Sequence, residues 1–106
     1  IHIGDTAVDN VFQEFSKKLG RFDIAFLPIG SYSPREIEAE YHVDPLEAFE
    51  LAKTLNAELT IGMHWGGIFF TQEPTYEPLE IISELNNANP SVNFQTPLPG
   101  IVINLD

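Results

Sequence analysis

An α/β layer fold is what this sequence predicts, and three observations carry the prediction. Short β-branched or aromatic runs alternate with longer segments of helical spacing, one run is apolar almost throughout, and one segment opens with a complete helix-start signal. Ile1 to Ile3 is the first strand, stopped at Gly4. Asp9 or Asn10 caps a helix whose Val11, Phe12, Phe15 and Leu19 share a face, and Gly20 stands where a C-terminal cap belongs. Phe22 to Ile29, "FDIAFLPI", reads as a strand buried on both faces, as in parallel sheets, with Pro28 making its end irregular.

Gly30 to Tyr41 carries Pro34 and several charges, and reads as a long loop of the kind that holds function. Asp44, Pro45 and Glu47 then supply a capping aspartate, a proline at the first helical position and a glutamate three residues after the cap, so a helix runs to about Asn56. Leu59 to Met63 is the next strand and delivers His64 at its C-terminal end. Glu77 to Asn87 forms a helix with Leu79, Ile82 and Leu85 inward, and Val92 to Phe94 and Ile101 to Leu105 are expected as final strands.

Composition narrows the function. A chain of 106 residues makes one domain at most, and its 43% hydrophobic and 20% charged content is ordinary for a soluble globular protein. No apolar run reaches the ~18 residues of a membrane-spanning helix, and no leader is visible, so the cytoplasm is the default location. The N-terminus opens inside a strand-like run, which suggests a piece of something longer. With no cysteine, any metal must be held by His, Asp or Glu. A net charge of −11 repels phosphate backbones and disfavours nucleic acid as a partner.

In open α/β sheets, ligands collect beyond the carboxyl ends of parallel strands. Three polar positions fall on that rim: Asp5 after the first strand, His42 at the far end of the Gly30 loop, and His64 after "TIGM". Each also has a structural account. Asp5 can close a turn, His42 can bond a carbonyl at the surface, and His64 can be a satisfied buried imidazole. Trp65 suits a core or pocket wall, and His2 a structural role.

Four blocks taken together are more specific. "GDT" at 4–6, "DIAFLPIGSYSPR" at 23–35, "HVDPLEAFELAKTLNA" at 42–57 and "IGMHWGGIFFTQEP" at 61–74 resemble the metallo-β-lactamase-fold hydrolases. The branch they are most similar to contains N-acyl phosphatidylethanolamine-hydrolysing phospholipase D and its bacterial relatives. The resemblance implies a hydrolase with two metal ions, usually zinc, in which Asp5 bridges both ions and His64 binds one. It places His42 near the metals as a substrate-contacting, catalytic residue. The implied substrate is a small or lipid-derived phosphodiester.

The superfamily's His-x-His-x-Asp-His block is absent, since the three histidines stand at 2, 42 and 64. Residues 1–106 are therefore expected to form only the C-terminal αβ half of the αββα sandwich, with the N-terminal half missing. Alone, that half is expected to be inactive and to self-associate or pair with the absent half through an unpaired edge. A non-catalytic binding or assembly module that keeps the half-fold is the alternative.

Overall fold

The structure is a computed structural model and describes residues 1–105. Its centre is a three-stranded parallel sheet of β1 (Ile24–Pro28), β2 (Leu59–Met63) and β3 (Phe94–Gln95), in that spatial order. Register pairs Ala25 with Thr60 and Leu27 with Gly62, and Thr60 in turn with Phe94. Because side chains alternate along a strand, those five residues share one face, and all five are buried. The opposite face carries Ile24, Phe26, Ile61 and Met63, each only half-buried, beside the buried Pro28 and Leu59. β1 is thus covered fully on one side and partly on the other, a correction to burial on both faces.

Helices α1 (Val11–Leu19), α3 (Pro45–Leu55) and α4 (Glu77–Ala88) accompany the sheet, with α3 packed against β1, α1 and α4. Phe49 of α3 stacks on Phe94 of β3, with ring centroids 5.9 Å apart, which ties helix to sheet at the centre of the core. Gly62 is dictated by this packing, since a Cβ there would meet Ile29 Cδ1 at 2.7 Å and Phe94 Cε2 at 3.3 Å.

The helix signals translate directly. At α3 the Asp44 carboxylate accepts from the Glu47 N–H while the Glu47 carboxylate accepts from the Asp44 N–H, both at 2.8 Å, so two orphan donors are satisfied reciprocally. Asn56 closes α3 in the left-handed conformation. At α1, Asp9 accepts from the Val11 N–H at 2.7 Å and Gly20 ends the helix at φ 76°. The predicted α1 face is narrower than its spacing suggested: Phe12 is buried and Phe15 half-buried, whereas Val11 and Leu19 are exposed, because α1 packs mainly against α3.

Three further expectations are corrected. Ile1–Ile3 forms a single parallel bridge, His2 to Phe26, rather than a strand, although the Ile3 N–H and Ile1 carbonyl both bond Phe26. The Gly30–Tyr41 loop contains a short helix, α2 (Arg35–Glu38). Residues 101–105 form no strand and are largely exposed, because no neighbouring backbone pairs with them. Among the described residues, no helix is long and apolar enough to cross a membrane.

Replacing Asp44 with alanine removes one half of the reciprocal cap and should lower stability by about 1 kcal/mol. Urea denaturation of the full chain measures this, and an unchanged midpoint would contradict it.

Candidate metal centre

All strands run parallel, so the segments leaving Ile3, Pro28 and Met63 emerge on one rim. That geometry gathers Asp5, His42 and His64. One donor atom from each lies within 4.8 Å of the others. His64 Nε2 stands 3.2 Å from Asp5 Oδ1, and the His42 and His64 rings stack with centroids 5.2 Å apart.

Each residue is held by its own local structure. Asp5 follows Gly4, whose φ of 72° turns the chain, and the Thr6 carbonyl beyond it accepts from the Val43 N–H at 2.8 Å. That bond anchors the Asp5 segment directly beside His42. His42 is fixed by the Arg35 guanidinium, which donates to the His42 carbonyl at 2.9 Å and to Glu47 at 2.8 Å. The turn after α2 and the cap of α3 are therefore locked by one cation. The Glu38 carboxylate lies 3.9 Å from His42 Nε2.

His64 is the most constrained of the three. It adopts φ 62°, a conformation that L-residues with a Cβ rarely take, and its Nδ1 faces the Gly30 carbonyl at 3.4 Å. A proton on Nδ1 aimed at that carbonyl leaves the Nε2 lone pair turned towards Asp5, the arrangement that a carbonyl accepting from the other ring nitrogen imposes on metal-binding histidines. The close approach requires glycine at position 30, because a Cβ there would lie 2.1 Å from the His64 carbonyl oxygen and 2.9 Å from Trp65 Cα.

The donor set fits a divalent cation. A tetrahedral ion ~2.1 Å from N and O donors needs them ~3.4 Å apart, close to the Asp5–His64 separation. The His42 Nδ1 is buried and has no hydrogen-bond partner, an orphan that a ligand or substrate atom would satisfy. Beside His64, a cavity of about 260 Å³ is lined by Trp65, Gly66, Gly67, Ile68, Phe69 and Phe70 among others, so Trp65 serves as pocket wall. Ile68, Phe69 and Phe70 are exposed. His2 lies apart, exposed and stacked on Phe26.

Two residues beside the site went unnoticed in the sequence. Tyr32 is buried and donates a short hydrogen bond to Glu77, and burial, that bond and the neighbouring carboxylates Glu77, Glu73 and Asp44 keep its phenol neutral. Glu73 is partly buried, which pushes its carboxyl up, but hydrogen bonds from backbone N–H groups and the Thr71 hydroxyl outweigh this and hold it below the ordinary 4.5. Apart from the Thr71 hydroxyl, the partners that give these residues their roles lie some 40 positions away in sequence, where no local pattern points to them.

A family model described as a β-lactamase superfamily domain matches residues 1–65. The chain is 41% identical over 87 residues to N-acyl-phosphatidylethanolamine-hydrolyzing phospholipase D 1 of Caenorhabditis elegans, covering 80% of this chain and 24% of that protein. It is 33% identical over 86 residues to the mitochondrial N-acyl-phosphatidylethanolamine-hydrolyzing phospholipase D of Saccharomyces cerevisiae, covering 79% of this chain and 18% of that protein. The chain thus spans a quarter or less of the length of these relatives. Among solved structures, a metallo hydrolase from the archaeon Ignicoccus hospitalis shares the fold, with a TM-score of 0.62 at 20% identity over 94% of this chain and 37% of that one.

Two outcomes follow from this geometry. Gly30→Ala should push the loop carrying His64 outward and lower the melting temperature by several degrees, as overpacking costs about 1–3 kcal/mol; an unchanged melting temperature and unchanged His64 resonances would refute the close approach. Because the folded Glu73 carboxyl is depressed, its stabilisation is present above about pH 4.5 and is lost as pH falls through its folded value. Glu73→Gln should flatten that acid limb of the stability curve, which thermal melts between pH 3 and 7 would read.

Proposed function

Because the chain belongs to the β-lactamase superfamily and shares its metallo-hydrolase fold, we propose that residues 1–106 form the C-terminal half of a metal-dependent hydrolase that cleaves a phosphodiester. The observation that carries this reading is the convergence of Asp5, His42 and His64, from three separate segments, on one point at the carboxyl rim of the sheet. Support for the half-domain comes from the half-buried apolar face of Ile24, Phe26, Ile61 and Met63, which suits a second β layer. The missing half supplies the remaining ligands.

In this reading Asp5 and His64 are metal ligands, and the metal is zinc, with two ions in the complete protein. Asp5 is well suited to bridging, since its carboxylate offers two oxygens and its side chain is 64% exposed towards the open rim. Zinc, when bound, supplies Lewis-acid activation of a water and of a phosphoryl oxygen near neutral pH. His64 presents Nε2 while Gly30 holds Nδ1. His42 does the proton work: stacked on His64 with an unpartnered Nδ1, it donates a hydrogen bond to a substrate oxygen or a proton to the leaving group.

The substrate is an amphiphile of lipid origin. The phosphodiester lies over the donor cluster, and the apolar wall of Trp65, Ile68, Phe69 and Phe70 receives the hydrocarbon part. The curated relatives, whose names describe hydrolysis of N-acyl-phosphatidylethanolamine, point the same way.

Zinc titration of the full chain by calorimetry tests the ligand assignment. Asp5→Asn and His64→Ala should each weaken binding at least ~10-fold, and His42→Ala should leave it within twofold while removing phosphodiesterase activity from the complete protein. Loss of zinc from His42→Ala would make it a third ligand, and undiminished zinc binding by His64→Ala would end the reading.

A further inference from the structure

One carboxylate makes most of the hydrogen bonds that tie the loop after β2 to the rest of the rim. Glu73 accepts from the Ser31 N–H, from the Ser33 N–H at 3.2 Å and from the Thr71 hydroxyl at 2.9 Å. The Gln72 N–H adds a bond to the Ser33 carbonyl at 3.0 Å. The loop that carries His64 is thereby stitched to the loop that follows β1.

The geometry points to Glu73 as the positioning residue for His64, acting through the Gly30–Ser31 peptide. In a trans peptide the C=O and N–H are coplanar and point in opposite directions, so holding the Ser31 N–H fixes where the Gly30 carbonyl aims. That carbonyl aims at His64 Nδ1. Glu73 therefore sets the imidazole's orientation and its tautomer from the far side of a rigid plane.

Energetics supports the assignment. His64 and Ser31 are both left-handed, at φ 62°, and non-glycine residues hold such conformations only where the surroundings impose them, at about 1–3 kcal/mol each. The imposing contacts are the Gly30 approach on one side and the Glu73 carboxylate on the other. The carboxylate is held ionised by the same hydrogen bonds, so it acts as a pure acceptor for three donors at once, which an amide cannot do.

The inference rests on His64 being a metal donor, but it is read first without metal. Side-chain NMR of the metal-free full chain, with His2 as the internal control, separates positioning from general loosening. Glu73→Gln should move or split the His64 ring resonances while those of His2 stay fixed, and should then weaken zinc binding on the order of 10-fold. Thr71→Val, which removes one donor and leaves the backbone intact, should shift His64 in the same direction by less. Unmoved His64 resonances in both variants, or His2 moving in step with His64, would overturn the assignment. If Glu73→Gln does not fold, the Thr71→Val shift decides alone. Zinc binding to the complete protein that is undiminished by both Asp5→Asn and His64→Ala would sink the proposed function and leave the His64 shift to be judged by itself.

Discussion

The backbone of Gly30 lies against the backbone of His64 and Trp65, with no room for even a methyl group between them. Much of the site depends on that contact. It is possible because β1 and β2 are parallel neighbours in register, Pro28 beside Met63, so the two chains leave the sheet at the same height. It also turns a carbonyl towards His64 Nδ1 and obliges His64 to take a left-handed backbone. A looser exit from either strand would leave the imidazole free to rotate away from Asp5.

Two partly buried polar groups hold the loops on either side of this contact. Arg35 joins the α2 turn to the start of α3, holding His42 by its carbonyl and Glu47 by its carboxylate. Glu73 does the corresponding work on the other side, using only backbone donors and a hydroxyl. Neither touches a donor atom of the cluster. They act on peptide units that carry or face the donors, which leaves the Asp5 oxygens, the His64 Nε2 and the His42 Nδ1 to meet whatever occupies the rim. In a site of this kind the excess of carboxylates is a matter of geometry as well as of solubility, because a carboxylate can gather several N–H groups where a neutral acceptor gathers fewer.

The sheet itself has an unequal pair of faces. One is closed by α3 and α4 around Phe49 and Phe94; the other presents Ile24, Phe26, Ile61 and Met63 half-covered. Together with Ile68, Phe69 and Phe70 in the exposed loop beside the cavity, this gives the molecule more apolar surface near its rim than its charge of −11 would suggest. Such surface is consistent with a chain that spans a quarter or less of its relatives.

Local signals alone determined a good part of this protein. The cap of α3, the bounds of β2 and the turn at Gly20 are set by neighbours within four residues, where backbone hydrogen bonding and steric preference act without help. The motifs holding Asp5, His42 and His64 were legible for the same reason, as each sits at the end of a strand or the start of a helix. What tertiary structure decided is everything that depends on distant partners. The strand expected at 101–105 failed because no edge receives it, and the bridge at His2 stayed short because only Phe26 meets it. Glu73 and Tyr32 gained their roles from residues some 40 positions away. Periodicity reports which side of an element is apolar, but only the assembled chain fixes what lies opposite, and that is what aims a histidine.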